Sequence, residues 1–534
     1  MTNENRSLYA VLAAFGFIFS SVAATTNVTT VADLIGAVRD AKSGDEIVVM
    51  KSGSPYTFGA SDVDGSSDHQ AGHLYARVKI KLRGETGNPH DVVLVGNANR
   101  ILYCMKDGNT IRDLTFKNGD CTGYGVTETE PKDNARGGAI LFRTAPDTTS
   151  VVSNCVFEAC KAKNGGGACA GHSGLGSANK ESGTYIDCVF TGNSCTQIGG
   201  GAIYYAYSVI NSEFRNNYSG AGNGGALCSV LNVTGSLIVS NATSSTGGFG
   251  GGAVACTLTG CYVASNYAYR CGAAADSRFY SCTNRANKSQ GDYLEFGLTS
   301  GGPGCYAEDC VFIDVGAANK KTFGKSAFSR CRFDDNSFVS GSYAFSQRIV
   351  ITNCLITGST GKSAFRLFQA LEVGSEMVNC TMVSNNYYFT ANDASYQPRL
   401  TMKNCFFYGN TCRSNASYND VDISHVATNL VSSFQDCILS AKSDAHVPGS
   451  GNYNYYSERA TFKPGFVGAA KNPENPFAIT RRSPAFAKAG IVEGWMSTAT
   501  DIRGEGFPRL RDGVVNIGCY QCWDAILGFT ILFR

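Results

Sequence analysis

A short phrase returns every 21–33 residues through most of this chain, and it limits the possible folds more than any other feature. It reads Asn/Asp-Cys-x-apolar, as in Asn154-Cys155-Val156-Phe157, Asp187-Cys188-Val189-Phe190, Asp309-Cys310-Val311-Phe312, Asn353-Cys354-Leu355-Ile356, Asn379-Cys380-Thr381-Met382 and Asn404-Cys405-Phe406-Phe407. Degenerate copies centre on Ser212, Ser236, Cys261, Cys282, Cys331 and Cys437. An apolar pair with period two is a strand signal, and its return at this interval means one strand-bearing unit stacked many times. The expected fold is all-β: a right-handed, single-stranded parallel β-helix with an N-terminal helical cap and an irregular C-terminal cap. Roughly 12–14 coils at ~4.8 Å each would give a rod on the order of 60 Å long.

Composition agrees with tightly turning strands. Glycine supplies 62 of 534 residues and charged residues only 16%, against about 7% and 25% in ordinary globular chains. A formal net charge of +2 without any long Lys/Arg run argues against nucleic acid or an anionic membrane as partner.

The chain divides into five parts. Residues 1–23 read as an export leader, with Arg6, the apolar run from Leu8 to Phe19, and the small residues Ser21 and Ala23 before a cleavage point. Residues 24–110 form the N-terminal cap and first coils, 111–440 the repeats, 441–523 the C-terminal capping region and 524–534 an apolar tail too short to span a bilayer. An extracellular or cell-surface location, outer membrane included, follows from the leader. In the cap, Val31, Leu34, Ile35, Val38 and Ala41 lie on one helical face that Gly44 ends. Such a helix would shield the first coil's open edge. Ile111 to Phe116 reads as one strand already in the repeat's rhythm, with Leu114 at the cysteine position.

Twenty-two cysteines in an exported chain ordinarily signal disulfides. Ten of these, however, share one place in the repeat. Stacked side chains in register lie ~4.8 Å apart, beyond the Cβ separation of roughly 3.5–4.5 Å that a disulfide needs. The column is therefore expected to hold buried free thiols acting as small hydrophobes. Cys519 with Cys522, and Cys405 with Cys412, remain able to pair. No second His or Cys pair lies near Cys519 and Cys522 to complete a tetrahedral metal site.

Asparagine recurs five residues after the column position, at Asn193, Asn217, Asn241, Asn266, Asn287, Asn336, Asn385 and Asn410. Stacked Asn side chains can hydrogen-bond along a ladder and tolerate the left-handed bend of a corner. Glycine steps such as Gly165-Gly166-Gly167 and Gly199-Gly200-Gly201 follow, and later coils replace them with Ala327-Phe328, Ala344-Phe345 and Ala364-Phe365, which would widen the core with aromatic stacks.

Gly137-Gly138-Ala139-Ile140 and Gly200-Gly201-Ala202-Ile203, with Phe190-Thr191-Gly192-Asn193, Phe214-Arg215-Asn216-Asn217, Phe333-Asp334-Asp335-Asn336 and Phe407-Tyr408-Gly409-Asn410, resemble the GGAI and FxxN repeats of chlamydial polymorphic outer membrane proteins. More broadly the chain resembles bacterial parallel β-helix repeat proteins of the pectate-lyase-like superfamily. Ser483-Pro484-Ala485, Asp501-Ile502-Arg503-Gly504, Pro508-Arg509 and Asn516-Ile517-Gly518-Cys519-Tyr520 are similar to the ending of many such secreted proteins. The resemblance implies a β-helix and a surface role. The chlamydial proteins end in a large outer-membrane barrel, for which the residues after Leu439 leave no room.

Catalytic chemistry is not visible in the sequence, and no catalytic residue is assigned. Inverting hydrolysis needs two carboxylates flanking the bond. Asp334-Asp335 is an acidic pair, but its place between Phe333 and Asn336 makes both residues solvent positions. Gly171-His172-Ser173 and Arg348-Ile349 are similar to polygalacturonase motifs, yet stand in the wrong order, and His172 fits a loop insertion. No cofactor is expected, apart from weak Ca²⁺ candidates at Asp62, Asp64 and Asp68, where a plain polar loop competes because Gly65 falls at the fourth rather than the sixth position. Tyr204, Tyr205 and Tyr207 are candidate ligand contacts, with the competing reading that such aromatics point into the core. The expected function is adhesion or recognition of a polymeric or surface ligand, polysaccharide or protein. The alternatives are a polysaccharide lyase or glycoside hydrolase acting on acidic polysaccharide, with groove walls from 119–136, 170–183 and 285–304, and a structural surface-layer component.

Overall fold

The computed structural model describes residues 23–522 except 65–71, 125–134, 144–146, 172–181, 245–246, 291–295, 298–303, 316–320, 339–342, 362–365, 372–373, 388–399, 413–432, 442–448, 488–489 and 512. The leader, the apolar tail, Asp68, His172, Ala364-Phe365 and most of the three proposed groove walls lie outside the described residues.

Each repeat contributes successive short strands, and every pairing between named strands is parallel. Val156–Glu158 pairs in register with Val189–Thr191, which pairs with Glu213–Arg215. The chain is thus a parallel β-helix. One ladder has 16 strands, longer than the repeat alone supplies because Tyr56–Thr57 and Tyr453–Asn454 continue it at its ends. The residue two after the column position points inward. Phe116, Phe157, Phe190 and Phe214 are fully buried there, with successive ring centroids 5.1, 4.6 and 4.7 Å apart. Each such ring contributes about 1.5–3 kcal/mol through burial. In later coils Phe323, Phe345 and Phe368 form a second stack at 5.3 and 5.7 Å; of the expected aromatics Phe345 belongs to it, whereas Phe328 meets Phe323 edge-on at 5.1 Å.

The corners are set by left-handed residues, one step away from where the sequence places them. The Asn or Asp just before the column residue takes the bend: Asn154, Asp187, Asn211, Asp309, Asn353, Asn379 and Asn404 have φ of 48–54°. The next corner falls on Asn216, Ser240 and Ser265, each one residue before a ladder asparagine. The ladder side chain must point inward to meet its neighbours, so the bend moves to the preceding, outward residue. For the same reason Ile111–Phe116 is not one strand: Asp113, with φ of 61°, splits it into Thr110–Arg112 and Thr115–Lys117. Gly200 has φ of 66°, and a Cβ there would lie 2.1 Å from the Ile203 carbonyl oxygen. Only glycine fits this step.

The cysteine column is inward, buried and unbridged: Cys155, Cys188, Cys261, Cys282, Cys310, Cys331, Cys354, Cys380, Cys405 and Cys437 are free thiols. They do more than fill space. The backbone N–H of Cys261 donates to Cys282 Sγ at 3.3 Å, and Cys282 Sγ donates to the Tyr280 carbonyl at 3.3 Å. Ser212 and Ser236 do the same with oxygen: Cys188 N–H donates to Ser212 Oγ, and Ser212 N–H to Ser236 Oγ, each at 3.1 Å. Cysteine and serine alternate in this column because both satisfy a buried backbone N–H of the preceding coil. Cys519 is likewise a free thiol, so it forms no disulfide with Cys522.

The helix Val31–Asp40 is capped by Thr30, whose Oγ1 accepts from Asp33 N–H at 3.1 Å, and it buries Leu34 and Val38 over the first coil. The C-terminal segment, expected as an end cap, instead lies along one side. Ala478, Ile479, Ala485, Ile517, Cys519 and Tyr520 pack on Leu355, Phe406 and Ile438, outward residues of the 16-stranded sheet. Among the described residues no helix is long and apolar enough to cross a membrane.

Candidate functional site

Alternation along each strand of the 16-stranded sheet sends the residue after the column position outward. In register this outer row runs Tyr262, Thr283, Val311, Arg332, Leu355, Thr381, Phe406 and Ile438. Tyr262 is 38% exposed, whereas Leu355 to Ile438 are buried beneath the C-terminal segment. The cover is held by corner asparagines whose side chains project outward. Asn404 Nδ2 donates to the Ile491 carbonyl at 2.7 Å, and Asn353 Nδ2 to the Thr500 carbonyl at 3.2 Å. At its edge Arg332 Nη1 donates to the Glu474 carbonyl at 3.1 Å.

A cleft of about 720 Å³ opens along that edge, lined by Arg332, Asn472, Glu474, Asn475, Ile502, Arg503 and Phe507. This volume suits a small number of sugar rings or a comparable ligand. Arg503 lies 4.1 Å from the Phe507 ring centroid and pairs with fully buried Asp501. Asp501 also accepts from Gln521 N–H at 2.9 Å, so the guanidinium is fixed from behind. Arg332 pairs with Asp334 at 3.1 Å. Asp334 Oδ1 and Arg332 Nε are buried without hydrogen-bond partners. Burial pushes the Asp334 carboxyl above its usual range, against the pull of Arg332.

Arg332 and Arg503, Asn472 and Asn475, one acidic residue, Glu474, and the Phe507 ring thus line one cleft. Guanidinium forks recognise carboxylates in a planar, two-point fashion, and the amides can bond hydroxyls. A carboxyl whose pKa is raised by burial holds its proton more readily than an exposed one, which suits proton transfer.

Asp334 is therefore half-buried and ion-paired, not the solvent position the sequence suggests; Asp335 is exposed as expected. In the acidic loop the two described candidates, Asp62 and Asp64, are both engaged by protein partners. Asp62 Oδ2 accepts from Gly59 N–H at 2.7 Å, and Asp64 forms a two-point pair with Arg77 at 3.0 and 3.1 Å. Among the described residues no three His, Cys, Asp or Glu side chains converge as a metal site. Tyr204 is buried, with its ring 3.9 Å from that of Tyr205 and 4.8 Å from the Arg136 guanidinium; Tyr205 and Tyr207 are half-buried. None of these tyrosines lines the cleft. Sequence reasoning missed Arg332, Asn472, Asn475 and Phe507. Arg503 stood within the recognised Asp501-Ile502-Arg503-Gly504 phrase, which was the one available signal.

No family model matches the chain, and no curated protein matches it. Among solved structures, the PL6-family alginate lyase AlyGC is similar over 80% of this chain and 57% of its own, at 14% identity and a TM-score of 0.30. The pectate lyase Pel9A is similar over 91% and 90%, at 11% identity and 0.25, and the Azotobacter vinelandii mannuronan C-5 epimerase AlgE6 A-module over 79% and 94%, at 9% and 0.23. The chain thus spans little more than half the length of AlyGC. These likenesses are of β-helical winding and reach no further.

Proposed function

We propose that this is an exported β-helix protein that binds an acidic, carboxylate-bearing polysaccharide in the cleft between the 16-stranded sheet and its C-terminal cover. The observation that carries this reading is the convergence of Arg332 and Arg503 with Asn472, Asn475 and Phe507 in an open cleft of about 720 Å³. Export rests on the leader-like residues 1–23 and on the repeat resemblance. Both guanidiniums already have protein partners, Asp334 for Arg332 and Asp501 for Arg503, and a uronate chain, with one carboxylate per sugar, would bind at the donors those pairs leave over.

A second reading, cleavage of that polysaccharide, draws support from the raised carboxyl of Asp334 beside Arg332. In β-elimination an arginine would neutralise the uronate carboxylate while a base removes the proton on the adjacent carbon; the C=C bond forms as the glycosidic C–O bond breaks, and the leaving oxygen takes a proton from water. One experiment tests both. The full chain is incubated with polygalacturonate, alginate and a neutral glucan, with and without Ca²⁺, and retention, new reducing ends and ultraviolet absorbance of unsaturated uronates are measured. Retention of the acidic polymers alone, weakened on the order of tenfold or more by Arg332→Ala, supports binding. Equal retention of the neutral glucan overturns it, and absorbance growth that Asp334→Asn abolishes establishes cleavage.

A further inference from the structure

Outside the cleft, the exposed outer face of the 16-stranded sheet places an aromatic and a cation side by side on adjacent strands. Tyr262 is partnered in register by Thr283, and Arg285 lies two residues further along the Thr283 strand on the same face. Tyr262 and Arg285 are therefore diagonal cross-strand neighbours, close enough for both to touch one ligand. Tyr262 is 38% exposed and the Arg285 side chain 53% exposed. Among the described residues Arg285 pairs loosely with exposed Asp314 at 3.4 Å, an interaction that costs little to exchange.

The same outer row leads directly to the cleft. From Tyr262 it passes Thr283 and Val311 to Arg332, three strand spacings or ~14 Å. The parallel row passes from Arg285 through Ile313 to Asp334, two spacings or ~10 Å. A strand spacing is close to the length of one pyranose residue. Val311, Ile313 and Thr283 are half-buried, without a large side chain rising between the two ends.

We infer that Tyr262 and Arg285 form a distal sugar subsite for the same acidic polysaccharide, which lies across the strands and along the helix axis from the cleft. This inference rests on the cleft reading above. Tyr262 would stack on a sugar face while Arg285 exchanges Asp314 for a ligand carboxylate. Two linked subsites make affinity depend on chain length, because the second contact is intramolecular once the first has formed.

The test is calorimetric titration of the full chain with three-residue and eight-residue oligogalacturonates and oligoguluronates. The expected result is that the eight-residue chain of the preferred series binds on the order of tenfold or more tightly than the three-residue chain. Tyr262→Ala and Arg285→Ala should each remove most of that gain while leaving three-residue binding unchanged. Tyr218→Ala, at a 43% exposed position on the neighbouring six-stranded sheet, should change neither. Short-chain binding with no gain from length, a gain that survives both substitutions, or an equal loss in Tyr218→Ala overturns the distal subsite and leaves the cleft standing. No binding of any oligomer overturns both. All three variants are surface changes, and circular dichroism confirms that each is folded.

Discussion

Asn217 gives its side-chain amide to Asn241: Nδ2 lies 2.9 Å from Asn241 Oδ1, and the Asn217 backbone N–H lies 3.0 Å from the same oxygen. Asn241 repeats the motif toward Asn266 at 3.1 Å, and its Nδ2 also donates to the Phe214 carbonyl at 3.0 Å. The chain of amides runs from Asn193 to Asn287 without a gap, and Asn385 passes the same bond to Asn410 at 2.9 Å. Every member is buried, so each bond is strong and each loss is uncompensated. Asn241→Ala strands two donors of Asn217 and should cost about 3 kcal/mol or more. Hydrogen exchange at the amides of coils bearing Asn217 and Asn266, with the melting temperature, reads this locally, as a stacked array need not unfold in one step.

The inward row that holds Phe157 and Phe190 also holds a polar residue among its described members. Asn284 stands in register between Val263 and Phe312, and neither its side-chain nitrogen nor its oxygen has a hydrogen-bond partner. An amide buried without partners costs about 1–3 kcal/mol relative to one that is satisfied. Asn284→Val should therefore raise the melting temperature, whereas Asn284→Asp should lower it. A drop with valine would show that the amide is satisfied after all.

His73 makes the N-terminal coils acid-sensitive. Its ring is buried against Phe58, Nδ1 lies 2.5 Å from the Asp62 carbonyl oxygen, and Nε2 accepts from Asn97 N–H at 3.0 Å. Protonating Nε2 would set two N–H groups against each other. Desolvation accordingly holds the imidazole below its ordinary pKa. With the native value depressed, the unfolded state binds the extra proton first, so stability falls as pH drops below about 6.5. Denaturation midpoints across that range should decline on the acid side in the wild type. The decline should be smaller in His73→Gln.

Ligand affinity should carry the opposite pH signature. Asp334 competes with a ligand carboxylate for Arg332, and burial raises its pKa. Neutralising it frees the guanidinium. Affinity for oligouronates should thus rise as the pH is lowered, for as long as the uronates themselves remain ionised. Asp334→Asn should bind more tightly at neutral pH and lose the dependence, as read by titration calorimetry.

The column thiols should be chemically silent in the native protein. Burial pushes Cys188 up to about 12, leaving almost no thiolate to react. An aromatic disulfide reagent should modify few of the 22 cysteines before denaturation and most of them afterwards without reductant. Few reactive thiols after denaturation would show that they are bridged.

The repeat phrase determined by itself that strands stack in parallel, that Phe157 and Phe190 face inward, that Asn193 and Asn217 meet along a ladder, and that Leu34 and Val38 cap the first coil. Those features are periodic, so each is written many times or lies on one short amphipathic face, and no distant contact is needed to read them. Even within the repeat, the sequence could not place the left-handed bend on Asn154 rather than on the ladder asparagine, because both residues tolerate it and only the inward demand of the ladder decides. The cysteines of the column were legible as buried thiols but not as hydrogen-bonding groups; their resemblance to Ser212 and Ser236 was the overlooked sign. The cleft was decided by tertiary structure alone. Arg332 meets Glu474 across 142 residues of chain, and Arg503 and Phe507 reach the same edge only because the non-repeating C-terminal segment folds back along the sheet. Such docking depends on the matching of two surfaces, which leaves no period in either.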